Sequence, residues 1–111
     1  MRWLKRLLGW AEPQPIARDQ HFKGGIYHRY QETIYQGTKP VLDYDKVSLI
    51  KVRGRYTVVD YDRHLIPATV QAKLSICPGD EVQIYMGVDH KQFWIRSVEE
   101  YNEKFTELER Y

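Results

Sequence analysis

Two short groups of residues carry the side chains that could recognise a ligand. The stretch QHFKGGIY places His21, Phe22 and Lys23 directly before two glycines, and Trp94 and Arg96 stand two positions apart near the other end of the chain. Aromatic rings stack on nucleobases, an arginine fork binds phosphate, and adjacent glycines let backbone amides approach an anion. Together the two groups predict a site for an anionic, nucleotide-like ligand.

The two groups could meet in a β fold. Residues two apart on a strand share a face, so Trp94 can offer a stacking ring beside the guanidinium of Arg96. In an antiparallel barrel the first and last strands can be neighbours, which would bring both ends of the chain together. The predicted ligand-binding residues are therefore His21, Phe22, Lys23, Gly24, Gly25, Trp94 and Arg96.

A purely structural interpretation of the same residues stays open. Gly24 and Gly25 form a common pair in simple turns. Trp94 could be a core residue, and Arg96 could pair with a glutamate of a following helix. In that case QHFKGGIY would be a turn and nothing more.

Catalysis and metal binding find little support. The four histidines are scattered, and neither metal-binding His and Cys spacings nor nucleophile or phosphate-loop motifs occur. Two pairs of acids stand two positions apart, Asp43 with Asp45 and Asp60 with Asp62. Each pair could hold a cation or serve acid–base chemistry, but such acids more often line turns. The sequence thus predicts a non-enzymatic protein with no catalytic residue, metal site or cofactor.

Composition favours one β-rich domain. A chain of 111 residues is about one domain long, and its nine tyrosines suit strands with one half-wet face. Cys77 is alone and can form no internal disulfide, and Lys5 and Arg6 interrupt the apolar N-terminus. We therefore expect a soluble protein in the reducing cytoplasm.

Strand patterns follow one another from Ile26 onward. IYHRYQETIYQ is rich in aromatic and β-branched residues, KVSLIKV and RYTVVDY flank a hairpin turn at Arg53-Gly54, and TVQAKLSI, EVQIYM and QFWIR follow. No long helix separates them. The fold class predicted is mostly β, a small antiparallel barrel with a C-terminal helix and a short N-terminal amphipathic helix.

The first residues predict a separate element. In MRWLKRLLGW the apolar residues lie on one side of a helix and the basic ones on the other, so residues 1–10 could pack on the domain, a partner protein or a membrane surface. The proline-containing residues 11–19 predict a linker. Residues 1–30 are mainly basic and residues 97–111 mainly acidic, a polarity that could also dock copies into a homo-oligomer.

The C-terminal residues predict a helix. Ser97 and Glu100 have the spacing of a capping box, and apolar residues at helical spacing follow it through Leu108. We predict a helix over 98–110, packed on a barrel domain that spans 20–111.

The motifs also resemble a family of small bacterial and phage proteins described as a domain of unknown function. Its pattern runs His-(Tyr/Phe)-Lys-Gly-x-x-Tyr, Val-x-x-Tyr and Trp-(Val/Ile)-Arg-Pro, followed by a Phe. The matching residues are His21, Phe22, Lys23, Gly24, Tyr27, Tyr85, Trp94, Ile95, Arg96 and Phe105. Ser97 replaces the proline, and the central region is longer than usual. The resemblance implies a curved barrel of the Src-homology type and leaves the function open.

Two functions are compatible with these observations. The first is a non-enzymatic module that binds, and could sequester, an anionic nucleotide-like signal. The second is an interaction protein, such as a phage accessory or anti-host-defence factor, that docks on a host or virion protein through residues 1–10 and the tyrosine-rich strands.

Overall fold

Seven antiparallel strands and one short helix form the described part of the chain, which comprises residues 13–37, 40–60 and 74–111 of a computed structural model. The strands are β1 (Ala17–His21), β2 (Ile26–Ile34), β3 (Asp45–Val52), β4 (Arg55–Asp60), β5 (Glu81–Gly87), β6 (Phe93–Ser97) and β7 (Phe105–Arg110). The helix α1 (Val98–Lys104) joins β6 to β7. The prediction of a mostly β fold is confirmed.

All seven strands belong to one sheet, in the order β4-β3-β6-β5-β2-β1-β7, and every neighbouring pair is antiparallel. The sheet bends enough that β4 also comes near β2. Within the described ranges no hydrogen-bonded ladder joins the edge strands β4 and β7. Closure into a barrel therefore stays a prediction.

The hairpin between β3 and β4 follows directly from its turn residues. Arg53 and Gly54 have φ angles of 51° and 82°, and a two-residue turn with both φ angles positive matches the twist of the flanking strands. Val52 consequently lies opposite Arg55 in the ladder. The predicted hairpin is confirmed.

The sheet buries apolar side chains on both faces at β5. Ile84 packs in the larger core cluster, whereas the next residue, Tyr85, points to the opposite face and packs with Tyr101 and Phe105. The members of the larger cluster are Tyr30, Tyr35, Val41, Val47, Val58, Ile76, Val82, Ile84 and Ile95. The smaller, aromatic cluster lies under α1 and forms part of the site described below.

The helix is shorter than the predicted range of 98–110. Its N-terminus is as expected, since the Ser97 hydroxyl accepts a hydrogen bond from the Glu100 N–H at 3.2 Å. At Phe105, however, the backbone becomes extended, with φ −121° and ψ 143°, and β7 pairs with β1. Helical spacing in the sequence could not indicate that β1 would pair with these residues. In the extended β7, Leu108 is exposed rather than packed.

The start of the folded part also differs from the prediction. The linker predicted for residues 11–19 ends sooner, because Ala17 begins β1 and is fully buried, as is nearly all of Asp19. The predicted helix over residues 1–10 and most of the strand predicted at TVQAKLSI lie outside the described residues. In the part of the chain that the structure describes, no helix is long and apolar enough to cross a membrane.

Candidate functional site

The stretch QHFKGGIY forms the loop of the β1–β2 hairpin. The His21 N–H donates to the Gly25 carbonyl at 3.1 Å, and the Gly24 N–H donates to the His21 carbonyl at 2.8 Å. Gly24 and Gly25 have φ angles of 96° and 87°, a region that residues with a Cβ rarely adopt. The backbone conformation of this turn therefore explains why both positions are glycine, and the predicted turn is present.

A cavity of about 310 Å³ lies beside this loop, on the face of the sheet that carries the aromatic cluster. Five strands and two loops contribute to its walls. We call it the aromatic–arginine pocket, and its lining residues are His21, Tyr27, Tyr44, Tyr85, Gly87, His90, Trp94, Arg96 and Phe105. Seven of these are aromatic or histidine rings that surround a single arginine, an arrangement suited to a flat ligand with a negative charge.

Arg96 is the buried cation of the pocket. It is 8% exposed, and its guanidinium carbon lies 5.1 Å from the ring centre of Tyr44, 5.4 Å from that of Phe105 and 5.9 Å from that of Tyr85. Nη1 donates to Glu100 Oε1 at 2.9 Å. Nε is buried and has no hydrogen-bond partner among the described residues. A buried donor without an acceptor is costly, so this guanidinium has spare hydrogen-bonding capacity.

The surroundings of Arg96 keep both it and Tyr85 protonated. Burial lowers the pKa of Arg96, but Tyr85 and Glu100 outweigh this effect, so the net direction is upward. Burial raises the pKa of Tyr85 to about 12 although Arg96 opposes the change. At neutral pH the pocket therefore holds a guanidinium cation and a phenol hydroxyl.

His21 is the neutral wall of the pocket. Burial lowers its pKa, and the positive charges of Arg96, Lys23 and Lys104 lower it further. The Lys23 N–H donates to Nδ1 at 3.2 Å, which requires Nδ1 to be unprotonated and places the ring proton on Nε2. The imidazole also meets the Phe105 ring edge to face at 4.9 Å. Three cations acting on one histidine indicate a positive potential at this end of the pocket.

The predicted residues divide into two sets. His21, Trp94 and Arg96, which are far apart in sequence, line the same pocket. The other four lie in the exposed hairpin loop beside it and are not among its described walls: Phe22, Lys23, Gly24 and Gly25. The three structural alternatives are also present in part: Arg96 pairs with Glu100, the glycines form a turn, and the partly buried Trp94 packs against the aromatic cluster.

Six of the lining residues were not predicted from the sequence to belong to the site, namely Tyr27, Tyr44, Tyr85, Gly87, His90 and Phe105. Tyr27, Tyr85 and Phe105 occur in the family pattern, which was the available signal, but the pattern gives no role for them. Tyr44 and His90 come from loops, where no periodicity indicates which way a side chain points.

A carboxyl pair, Asp43 and Glu100, lies behind Arg96. Asp43 directly precedes the pocket residue Tyr44, and its side chain hydrogen-bonds with that of Glu100. Two carboxyl groups can do so only when one carries a proton. Burial, followed by the hydrogen bond to Glu100 and its charge, raises the pKa of Asp43 to about 6 against the opposing charges of Arg96 and Lys104.

Glu100 is the ionised member of the carboxyl pair. Burial acts to raise its pKa, but the hydrogen bonds with Asp43 and Lys104 and the charge of Arg96 outweigh burial and lower it. Below about pH 6 the proton shared by the pair therefore resides on Asp43, and at higher pH Asp43 loses it. The described residues include no group of three or more potential metal ligands.

We expect Asp43→Asn to stabilise the fold at neutral pH. The folded state binds the Asp43 proton more tightly than the unfolded state does, so this carboxyl group makes stability fall as pH rises from about 4 to about 6. An amide keeps a donor toward Glu100 and has no charge to bury. The measurement is urea unfolding of both proteins across this range: the variant should be the more stable above pH 6, with the difference vanishing near pH 4. A constant difference would mean that Asp43 does not titrate as described.

No family model, curated protein or solved structure matches this chain. The resemblance to the family of unknown function therefore stays a prediction, and any function has to be argued from the pocket itself.

Proposed function

We propose that the protein is a binding module that holds a flat ligand with one anionic group, such as a mononucleotide, in the aromatic–arginine pocket. In this proposal the ligand ring stacks on Trp94 while its anion takes the free hydrogen-bonding capacity of Arg96. Lys23, which lies in the adjoining exposed loop, adds a point charge at the entrance. The module binds its ligand and leaves it unchanged.

The main support is the state of Arg96. It is nine-tenths buried, lies among three ring faces, lines the pocket and leaves Nε without an acceptor among the described residues. An arginine needed only for the Glu100 ion pair would not have to line a cavity. Since charge-assisted hydrogen bonds are about twice as strong as neutral ones, an anion is the ligand that gains most here.

The size of the pocket restricts the ligand class. Small-molecule pockets range over about 300–1,000 Å³, and this one, at about 310 Å³, is at the lower end. A ring with one compact anionic group suits that volume better than a nucleotide with a chain of phosphates. Adenosine 5′-monophosphate and 3′,5′-cyclic adenosine monophosphate are therefore suitable probes, and adenosine triphosphate is a suitable counter-probe.

Arg96→Lys should weaken mononucleotide binding. The substitution keeps the positive charge but loses the planar fork, and we expect a loss of about 1–3 kcal/mol in binding free energy. Isothermal titration calorimetry with the two monophosphates, adenosine and adenosine triphosphate measures it directly. The wild type should prefer the monophosphates to both adenosine and the triphosphate.

Arg110→Lys is the matched control, because it makes the same chemical change at an exposed arginine outside the pocket. Arg110 is the last residue of β7, whereas the pocket residue Phe105 is the first. Its binding should equal that of the wild type. Thermal melts must accompany the titrations, since Arg96 also pairs with Glu100 and its replacement changes stability. Equal affinities for wild type and folded Arg96→Lys, or no binding of any probe to the wild type, would contradict the proposal.

A further inference from the structure

Arg96 shares its neutralising partner with a second cation. Glu100 Oε1 accepts from Arg96 Nη1 at 2.9 Å and from Lys104 Nζ at 2.8 Å. The fourth charged group is Asp43, whose carboxyl contacts that of Glu100. With Asp43 protonated these four residues carry one net positive charge, and with Asp43 ionised they carry none. A single proton therefore decides whether the back of the pocket is positive.

We propose that Asp43 is a proton-controlled regulator of the pocket, so that an anion binds more tightly when Asp43 is protonated. The inference rests on the proposed function and deepens it, because it assigns a regulatory residue to the same site. Binding of the anion and uptake of the proton are then linked and must favour each other equally.

The geometry gives Asp43 this role rather than a neighbouring acid. Its Oδ1 is buried and has no hydrogen-bond partner in the described part of the chain, so the ionised form is poorly compensated. Its neighbour Tyr44 lies over the Arg96 guanidinium at 5.1 Å, which holds the loop against the cation. The pKa of about 6 places the change of charge between about pH 5 and pH 8, the range in which histidine-type switches also act.

Other ionisable groups face the same cation and have to be separated from Asp43. His21 on β1, Tyr85 on β5, Glu100 and Lys104 on α1 and Lys23 in the hairpin loop all act on Arg96 or on groups that contact it. Tyr85 stays protonated because burial raises its pKa to about 12. His21 is the relevant competitor, since it gains a positive charge on acidification.

The test uses 3′,5′-cyclic adenosine monophosphate, whose phosphodiester has one negative charge at both pH values compared. We expect the wild type to bind it about tenfold more tightly at about pH 5 than at about pH 7.5, the effect of one unit charge at short range in a partly solvated site. Asp43→Asn should bind with the same affinity at both pH values. At about pH 7.5 it should already match the acidic wild type.

His21→Gln separates the histidine from the carboxyl pair: whatever its absolute affinity, it should keep the tightening on acidification. If Asp43→Asn keeps the tightening and His21→Gln loses it, the histidine is the switch and the proposal is wrong. If the wild type binds with equal affinity at both pH values, regulation by Asp43 is contradicted but the proposed function is not. Failure of the cyclic and linear monophosphates to bind at either pH removes the proposed function itself. Thermal melts at both pH values show that each variant is folded.

Discussion

Asp19→Ala is expected to destabilise the fold by about 3–5 kcal/mol, the cost of breaking a buried ion pair by removing one partner. Asp19 is 2% exposed, accepts a hydrogen bond from the Tyr101 hydroxyl at 2.7 Å and pairs with Arg29 Nε at 3.1 Å. Burial and the charge of Asp19 raise the pKa of Tyr101, so its hydroxyl stays a donor. The alanine would leave the Tyr101 hydroxyl buried without its acceptor, and Arg29 would keep only its ion pair with the partly exposed Glu107 among the described residues.

Arg18→Ala is the control for Asp19→Ala, because it lies on the same strand but its ion pair with Glu109 is exposed. Exposed pairs contribute about 0–1 kcal/mol, so this variant should unfold close to the wild type. Urea denaturation of the three proteins gives the comparison. A loss below about 1 kcal/mol for Asp19→Ala would show that water or a shift of Arg29 replaces the carboxylate, and that β1 is not fixed by this contact.

Phe105→Ala should cost a similar amount, about 3–5 kcal/mol, because it removes a large ring from a packed cluster. The Phe105 ring stacks on Tyr101 with centres 3.9 Å apart and also meets Tyr27 and Tyr85 at 5.4 Å. It stands where α1 ends and β7 begins, so its loss loosens the contact that holds this change of direction. The same substitution enlarges the pocket, since Phe105 is one of its walls.

Phe22→Ala provides the matched comparison for Phe105. Phe22 is 64% exposed and its ring lies near His21, with centres 4.6 Å apart, so it should lose less than about 0.5 kcal/mol. Calorimetric melting of both variants is sufficient. Similar losses for the two would indicate that the exposed loop ring supports the fold as much as the cluster does, which the burial difference does not allow.

Local sequence patterns were sufficient to predict those strands whose own residues favour an extended conformation. β2, β3, β4, β5 and β6 have alternating or β-branched sequences, and Arg53-Gly54 specifies its own turn. The Ser97 cap could also be predicted, because both of its partners lie within one helical turn. These elements need no information from the rest of the chain.

β7 and the buried role of Asp19 could not be predicted in the same way. Phe105 fits a helical stripe as well as the first position of a strand, and only pairing with β1 decides between them. Ion pairs of β7 glutamates with Arg18 and Arg29 then help to hold the strand in register. No local pattern around Asp19 indicates that its side chain is buried, because the residue that binds it, Tyr101, is 82 positions away in the sequence.

The candidate site was predictable by residue type and not by arrangement. His21, Trp94 and Arg96 were identifiable because aromatic and imidazole rings beside an arginine fork suggest one class of ligand. Asp43 and Glu100 were not, since a glutamate in a capping box and an aspartate near a turn both have sufficient local explanations. The regulator that we infer exists only in the contact between them.

The position of β1 between β2 and β7 has a consequence for biosynthesis. A nascent chain can form the β1–β2 hairpin early, but Asp19 stays without Tyr101 until residues 82 positions later have left the ribosome. Such distant pairing gives a high contact order, which slows folding. Until β7 arrives, one edge of β1 is open to pairing with other chains, and this interval is when aggregation would compete most strongly with the native fold.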